Sequence, residues 1–373
     1  MSGSGGTGEY GRVGEWASGS AHTPTPPHPH TPVPPHQPFI EAATRLGLNV
    51  VANEPLARHT TFRIGGPADL YVAVNDVEKL PQTAELARAH GIPYIILGGG
   101  SNILVSDAGV RGLVIANQSR GWRLEVGDRG LEVGGWRLDS IQPPTSNFQL
   151  VADSGVALAG LARWAIREGW AGLEWAVSVP GTVGGAVIGN AGAHGGCIAD
   201  SLAWTLIHEV SQGRRALAAA ELGYSYRSSV LKDKPAEDKP GFSKKPGLCP
   251  PIVLSAAFNV TRGDVAEMTA RADGFLARRR ASQPVEPSAG SVFRNPPGDH
   301  AGRLIEAVGL KGHRLGGAQI SPRHANFIIN TGAARSADVL GLIRLAQKRV
   351  YEQFGIELTL EIVLPGDSAA LSC

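Results

Sequence analysis

Two glycine-rich stretches of this 373-residue chain have the composition and spacing to bind a nucleotide. The first follows a short apolar run and consists of Gly98, Gly99, Gly100, Ser101 and Asn102. Glycines let a backbone approach a ligand closely, and successive free N–H groups can hold a pyrophosphate. The spacing is neither the GxGxxG of a dinucleotide fold nor the GKS or GKT of a P-loop. The stretch therefore predicts either a ligand-binding loop or a plain turn.

The second stretch is longer, spans 179–195, and sets many small residues in an otherwise apolar segment. So much glycine lowers the intrinsic stability of the backbone, so another group must approach it closely. That group is either a tightly packed strand or helix, or the flat ring system of a cofactor. Two such loops in one chain favour a nucleotide cofactor.

The elements around these loops predict a mixed α/β protein, because short apolar runs alternate with helical patterns from about residue 39 onward. The predicted strands are 70–74, 92–97, 110–116, 131–133 and 252–260. The predicted helices are 77–90, 156–168, 265–280 and 337–354. The first glycine loop follows the strand 92–97 directly.

Composition excludes several classes of protein. With 35 basic and 33 acidic residues the formal net charge is +2, which gives no nucleic-acid footprint. Cys197, Cys249 and Cys373 are scattered and odd in number, so they predict neither a disulfide framework nor a metal site. No apolar run reaches about 18 residues, and the amino terminus lacks the order of a signal peptide. We expect a cytoplasmic protein without a membrane partner.

Residues 1–38 are rich in Gly and Ser and then in Pro and His. Such a stretch buries too little apolar surface to offset its ordering entropy, so it predicts a disordered tail. Metal capture or a proline-recognition ligand are the alternatives. Residues 367–373 are expected to form a second, short tail.

Seven short segments, taken in order, resemble the UDP-N-acetylenolpyruvoylglucosamine reductase (MurB) family, and the match runs from about 39 to 366. The segments are 60–69 (TTFRIGGPAD), 98–107 (GGGSNILVSD), 181–195 (GTVGGAVIGNAGAHG), 226–229 (YRSS), 287–296 (PSAGSVFRNP), 301–306 (AGRLIE) and 324–328 (HANFI). No tyrosine-bearing substrate loop is evident between 252 and 280, which indicates the short-loop subgroup.

The resemblance implies an α+β fold with a two-lobed FAD-binding region of the vanillyl-alcohol-oxidase type, followed by a smaller α+β substrate-binding domain. The implied boundaries are 39–258 for the FAD-binding region, with lobes of about 39–116 and 117–258, and 259–366 for the substrate domain. FAD is expected to bind non-covalently in a monomer. NADPH would reduce it and leave, and the enolpyruvyl UDP-sugar would then occupy the same cleft, which makes a separate Rossmann fingerprint unnecessary.

The resemblance also implies which residues contact FAD, all of them in the two glycine-rich stretches. The implied residues are Gly98, Gly99, Gly100, Ser101, Asn102, Pro180, Gly181, Thr182, Gly184, Gly185, Asn190 and Gly192.

Three residues are implied as catalytic. Hydride delivery to the enolpyruvyl methylene leaves a carbanion next to a carboxylate, which needs a cation and a proton source. By motif match Ser291 would donate the proton, Arg227 would bind the carboxylate and stabilise the enolate, and Glu361 would help polarise or protonate the intermediate. Tyr226, Arg279, Asn295 and Asn326 are expected to contact the substrate, and the basic run 278–280 suits its diphosphate.

The chain departs from the family pattern in a few places. His194 stands where the family usually has Tyr or Phe, and Val363 replaces a common arginine. The stretches 122–149 and 232–251 are longer than usual. Two rival functions remain: another flavin enzyme on the same scaffold, such as a sugar or alcohol oxidase, and a non-catalytic nucleotide-binding module.

Overall fold

The fold is described from a computed structural model, for residues 37–126, 148–232 and 250–365, and for the backbone of Glu132–Val133 and Trp136–Arg137. Eight helices occur in these ranges. They are α1 (Gln37–Arg45), α2 (Lys79–Ala89), α3 (Leu158–Arg167), α4 (Val183–Gly189), α5 (Ile198–Ser201), α6 (Val265–Ser282), α7 (Ala301–Ala307) and α8 (Ser336–Phe354). None of these helices is long and apolar enough to cross a membrane.

The first sheet has four strands in the order β1-β2-β4-β3. They are β1 (Val50–Pro55), β2 (Pro67–Val74), β3 (Tyr94–Leu97) and β4 (Val110–Asn117). β1 pairs antiparallel with β2, whereas β2 and β3 both pair parallel with β4. The apolar face of α2 packs on this sheet, because Leu80, Ala84 and Ala87 are fully buried.

The second sheet is antiparallel and has the order β8-β7-β9-β6-β5. Its strands are β5 (Trp122–Val126), β6 (Phe148–Asp153), β7 (Leu202–Glu209), β8 (Gly213–Ala218) and β9 (Ile252–Arg262), and the short strand Trp170–Ala171 pairs with the end of β9. One face packs against α3 and α4, and the other joins the core of the first sheet.

The third sheet is antiparallel, with the order β10-β13-β12-β11. Its strands are β10 (Ser288–Ser291), β11 (Arg314–Leu315), β12 (Ala318–Ile320) and β13 (Phe327–Asn330). Its core includes α7 and α8, and also Phe62, Ile64 and Leu104 from the first part of the chain. Burial of these three residues therefore ties the third sheet to the loops around the first.

The structure confirms the predicted strands 70–74, 92–97, 110–116 and 252–260 and all four predicted helices, with ends that differ by at most three residues. The described residues begin at Gln37, the first residue of α1 and two residues before the predicted limit of Phe39. The rest of the two tails, and most of the long stretches 122–149 and 232–251, lie outside the described residues. The domain boundaries stay predictions. α6, assigned to the second domain, buries Met268 and Ala272 against Ile166 and Val177 of the first.

Candidate active site

The two glycine-rich loops contact each other directly. A Cβ atom on Gly98 would lie 2.5 Å from Thr182 Oγ1, and one on Gly99 would lie 3.0 Å from Gly181 Cα. A Cβ on Gly181, whose φ is +103°, would lie 2.7 Å from Ser101 Oγ. Glycine at these positions therefore permits loop-to-loop packing, which was one of the two alternatives drawn from the sequence.

The first loop also presents a run of backbone donors. Among the described residues, none accepts a hydrogen bond from the N–H groups of residues 99–102. Successive free N–H groups of this kind form an anion-binding concavity. A backbone hydrogen bond fixes the position of this loop, because Thr61 N–H donates to Gly100 O at 3.0 Å. The glycines therefore pack the two loops together, and binding of a ligand by the free N–H groups stays a prediction.

A cleft of about 780 Å³ opens beside these loops. Gly99, Ser101 and Pro180 line it. Arg58, Arg63 and Arg279 also line the cleft, and ligand sites typically measure about 300–1,000 Å³. The free N–H groups, the cations and the size together fit a dinucleotide such as FAD, whose pyrophosphate needs donors and positive charge.

Arg227 and Glu361 form an ion pair, although 134 positions separate them in the chain. Arg227 Nε lies 2.8 Å from Glu361 Oε1, and both side chains are largely buried. Arg227 Nη1 donates to Gly192 O at 3.1 Å, and Lys232 Nζ donates to Arg227 O at 3.0 Å. Arg227 itself has a φ of +56°, which is uncommon for a non-glycine residue and aims its side chain from a tight turn.

Burial and nearby positive charge act in opposite directions on the pKa of Glu361. Burial raises the pKa of its carboxyl, and Arg227, then Lys232 and Arg294, oppose that rise. The rise prevails, so the carboxyl keeps its proton to a higher pH than a free glutamic acid does. A carboxyl of this kind can donate a hydrogen bond or a proton, which is the chemistry expected of it.

Ser291 lies next to Glu361 across a short backbone ladder. It ends β10, and Glu361 N–H donates to the carbonyl of the following residue, Val292, at 2.8 Å. In the described part of the chain the Ser291 hydroxyl makes no hydrogen bond, and Ser291 lines a second cavity of about 350 Å³. No described residue therefore occupies this hydroxyl.

β10 contributes residues to both cavities. Ser288 and Gly290 line the large cleft, whereas Ser291 lines the second cavity. The neighbouring segment also contributes to both, with Phe327 at the cleft and His324 at the second cavity. The two cavities therefore adjoin at β10.

Two asparagines implied as ligand contacts have amides that bond to the protein backbone, and their contacts with a ligand stay predictions. Asn326 is only 3% exposed, and its amide bonds to both the N–H and the C=O of Phe293, at 3.0 and 2.8 Å. Asn190 Nδ2 donates to Ser225 O at 3.0 Å, and its Oδ1 accepts from Ala199 N–H at 3.1 Å. Both ends of each amide are engaged, so these side chains hold loops in place.

The other implied substrate residues lie in different places. Asn295 lines the second cavity, although its Oδ1 accepts from Ala301 N–H at 3.1 Å and thereby holds the start of α7. Tyr226 is exposed, with the Arg227 guanidinium 5.6 Å from its ring centre. Arg279 lines the large cleft and not the second cavity, and burial lowers its pKa. Its Nη1 donates to the carbonyl of Ser178.

The remaining glycines implied as cofactor contacts differ in how closely other atoms approach them. A Cβ on Gly184 would lie 2.9 Å from Ser154 Cβ, and one on Gly192 would lie 2.9 Å from Cys197 Cβ, so both glycines allow close packing. Gly185 is exposed in the first turn of α4, and a Cβ there would come no closer than 3.8 Å to Thr182 Oγ1. Gly185 is thus open to a ligand.

The structure shows the surroundings of His194 and Val363, the two residues that depart from the family pattern. The His194 ring stacks on Phe275, with centroids 4.4 Å apart and planes 7° apart, and His194 Nε2 lies 2.9 Å from Ser178 Oγ. Val363 is 45% exposed, and its backbone bonds to Asn102 and Leu104. An uncharged side chain is accommodated there because the backbone makes the contacts.

Sequence reasoning missed several cleft residues. Arg58, Arg63 and His59 line the large cleft, and Arg303 and Arg323 line the second cavity. Arg63 stands inside the segment TTFRIGGPAD and Arg303 inside AGRLIE, so those two motifs were usable signals. Arg58, His59 and Arg323 carry no local signal, because only tertiary packing brings them to a cavity. In the described ranges no three His, Cys, Asp or Glu side chains are grouped so as to hold a metal ion.

Comparison with known proteins agrees with this geometry. A family model described as UDP-N-acetylenolpyruvoylglucosamine reductase, C-terminal domain, matches residues 283–364, and one described as FAD binding domain matches 68–208. The UDP-N-acetylenolpyruvoylglucosamine reductase of Chloroflexus aggregans is 41% identical over 318 residues, which is 85% of this chain and 98% of that protein. The Moorella thermoacetica reductase is 42% identical over 328 residues, 88% of this chain and 97% of that protein.

A solved structure extends the agreement to the fold. The UDP-N-acetylenolpyruvylglucosamine reductase of Thermus caldophilus matches with a TM-score of 0.62 at 34% identity, covering 85% of this chain and 98% of that one. The FAD-binding domain and the cleft that fits its cofactor define an FAD-dependent oxidoreductase with an α+β fold. The chain belongs to the UDP-N-acetylenolpyruvoylglucosamine reductase family of peptidoglycan precursor synthesis.

Proposed function

We propose that this enzyme uses NADPH to reduce UDP-N-acetylglucosamine enolpyruvate to UDP-N-acetylmuramate. The observation that carries the proposal is the Arg227–Glu361 ion pair, bonded through the Glu361 backbone to the strand that ends in Ser291. Bound FAD supplies the two-electron chemistry between NADPH and the enolpyruvyl group. The protein's own residues then bind the substrate, hold its charge and deliver a proton.

Arg227 suits the substrate carboxylate. Its guanidinium is planar, permanently charged and partly buried, which favours bidentate binding of a carboxylate and stabilises the negative charge of an enolate. The protein engages its Nε and Nη1 through Glu361 and Gly192. In the described part of the chain no residue engages Nη2, so this group remains for the substrate.

Ser291 and Glu361 suit the proton transfer. The Ser291 hydroxyl is a weak acid, but a carbanion is a strong base and the transfer is therefore favourable. Glu361 keeps its proton to a raised pH because it is buried, so it can donate a hydrogen bond to the enolate oxygen while Ser291 protonates the carbon.

The second cavity suits the diphosphate of the substrate. Arg303, Arg323 and His324 line it together with Ser291. Guanidinium groups bind phosphate oxygens with strong charge-assisted hydrogen bonds. Binding there would place the sugar-linked enolpyruvyl group beside Ser291 and next to the large cleft.

Isotope placement tests this assignment. With FAD-loaded enzyme, deuterium from labelled NADPH should appear at the former methylene carbon, and deuterium from D2O at the neighbouring carbon. Ser291→Ala should keep NADPH reduction of the flavin and slow re-oxidation by the substrate by about 10²–10⁴-fold. Ser282→Ala, an exposed serine at the end of α6, is the matched control and should change neither step. Re-oxidation by oxygen but not by the enolpyruvyl compound would overturn the proposal in favour of an oxidase.

A further inference from the structure

We propose that Asn102 is a positioning residue for Glu361, and that it connects the cofactor loop to the site of proton transfer. The inference deepens the proposed function and rests on it. Asn102 was expected to bind the cofactor, since it ends the glycine-rich loop. Its amide instead reaches toward the backbone of Glu361: Asn102 Nδ2 donates to Glu361 O at 3.1 Å.

Backbone hydrogen bonds make this contact part of a ladder. Val363 N–H donates to Asn102 O, and Leu104 N–H donates to Val363 O, each at 2.9 Å. Ile103 and Val363 form a parallel bridge. The carboxy-terminal segment 361–363 is thus attached to the cofactor loop by three hydrogen bonds, of which one comes from a side chain.

The same segment is attached on its other side to the strand of Ser291. Glu361 N–H donates to Val292 O at 2.8 Å, and Phe293 pairs with Leu360 in an antiparallel bridge. Both backbone groups of Glu361 are therefore hydrogen-bonded, its N–H to the strand and its C=O to Asn102. Fixing both peptide groups fixes the direction of the Cα–Cβ bond, and with it the position of the carboxyl beside Arg227.

The direction of the Asn102 side chain supports this role. Gly99 and Ser101 of the same loop line the large cleft, whereas the Asn102 amide is engaged by the Glu361 carbonyl. An amide is also needed for chemical reasons, because a carbonyl oxygen accepts and the side chain must donate. An aspartate there would turn a negatively charged acceptor toward the Glu361 carbonyl and would further disfavour the ionised form of the Glu361 carboxyl.

The two half-reactions separate the roles. In Asn102→Ala with FAD bound, reduction by NADPH should keep its rate, and re-oxidation by the enolpyruvyl substrate should slow by up to about 100-fold, since small displacements of a catalytic group have large effects. Gln347→Ala is the matched control. Gln347 Nε2 donates to Leu358 O at 2.9 Å, three residues before Glu361. The Gln347→Ala substitution therefore removes the same kind of hydrogen bond from the same segment, and it should leave both rates unchanged.

A second readout does not depend on turnover. In protein labelled with ¹³C-glutamate, the infrared carboxyl band that is missing in Glu361→Gln reports the titration of Glu361. Asn102→Asp should move that titration to higher pH, and Gln347→Ala should not. Loss of FAD in Asn102→Ala, equal slowing of both half-reactions, or an unmoved titration in Asn102→Asp would overturn the inference. If the wild-type enzyme ignores the enolpyruvyl substrate, the proposed function fails, and the infrared titration still tests the Asn102–Glu361 link.

Discussion

At the scale of single residues, the site depends on a carboxyl group whose pKa burial raises against the opposing effect of its cationic neighbours. Burial raises the pKa of Glu361 more than Arg227, Lys232 and Arg294 lower it. If burial alone acted, the group would be neutral and unpaired, and if the cations prevailed it would be a simple counter-ion. The balance leaves an acid with a charged partner 2.8 Å away, which is suited to gaining and losing a proton.

The pH dependence of substrate reduction follows from this balance. We propose that the protonated form of Glu361 is the donor, and the rate of flavin re-oxidation by substrate should then fall as pH rises through the raised pKa. Glu361→Gln should lose that dependence and be slower at low pH by about 10²-fold or more, while NADPH reduction of the flavin is retained. Stopped-flow absorbance across pH measures both steps. An unchanged pH dependence in Glu361→Gln would contradict the assignment.

His194 makes a separate prediction for stability. Burial, then Arg278 and Arg279, lower the pKa of His194, so folding favours the neutral ring. Above the ordinary histidine pKa of about 6.5 the ring is neutral in both folded and unfolded chains. As pH falls from there through the lower folded pKa, the folded state loses stability, because the unfolded chain binds the proton more readily.

His194→Phe keeps a flat ring against Phe275 and lacks this proton. Between about pH 7.5 and about pH 5.5, wild type should lose more free energy of unfolding than His194→Phe does. Urea denaturation at the two pH values measures the difference. Equal losses in the two proteins would show that His194 does not titrate in this way.

At the scale of elements, the loop 98–102 depends on close backbone contact. Gly100 has a φ of +59°, and a Cβ there would lie 2.1 Å from His59 O. Gly91 has a similar φ of +66° with nothing within 4 Å of an added Cβ. Alanine substitutions at the two glycines therefore separate two costs. Both carry the cost of a positive φ, and only the one at Gly100 adds a steric clash of the Cβ with His59 O.

Gly91→Ala should lower the free energy of unfolding by about 1 kcal/mol, which is the penalty of the left-handed region. Gly100→Ala should lose about 1–3 kcal/mol more, because the loop must move away from His59. It should also weaken FAD binding, whereas Gly91→Ala should not. Chemical denaturation and FAD titration measure the two effects. Equal stability losses would mean that the loop is not tightly packed.

The sequence predicted these elements better than it predicted their contacts. The helices and strands follow from local periodicity, which a single chain displays, and most of those predicted were found. The Arg227–Glu361 pair could be named only by motif resemblance, because nothing local brings together residues so far apart. The contacts of Asn102, Asn190 and Asn326 were not predictable, since the residue type fits a ligand contact and a backbone clamp equally well.

At the scale of the whole molecule, hydrogen bonds from residues on either side of the loop 98–102 join the first sheet to the third. Asp107 Oδ1 and Oδ2 accept from the N–H groups of Ser336 and Ala337, at 2.7 and 3.1 Å, and so cap the 19-residue helix α8. Thr61 Oγ1 donates to Ser288 O at 2.7 Å. A negative charge at a helix amino terminus is favourable, so Asp107 stabilises the third sheet's helix from outside it. A monomeric state and a cytoplasmic location remain predictions from the sequence.

Asp107→Ala should lower the free energy of unfolding by about 1 kcal/mol, the usual cost of removing a helix cap. Asp273→Ala, which removes an exposed aspartate from α6, should have little effect. Thermal and urea denaturation of the two variants make the comparison. If both variants behave alike, the cap does not contribute to stability.

We propose that this flavoenzyme reduces an enolpyruvyl UDP-sugar at the Ser291, Arg227 and Glu361 site. The most direct measurement follows the visible spectrum of the purified FAD-loaded protein without oxygen, first with NADPH and then with UDP-N-acetylglucosamine enolpyruvate, and identifies the product by mass. We expect NADPH to bleach the flavin and the enolpyruvyl compound to restore its colour, with one UDP-N-acetylmuramate formed per flavin re-oxidised. A protein that takes up no FAD, or a bleached flavin that the enolpyruvyl compound leaves reduced, would contradict it.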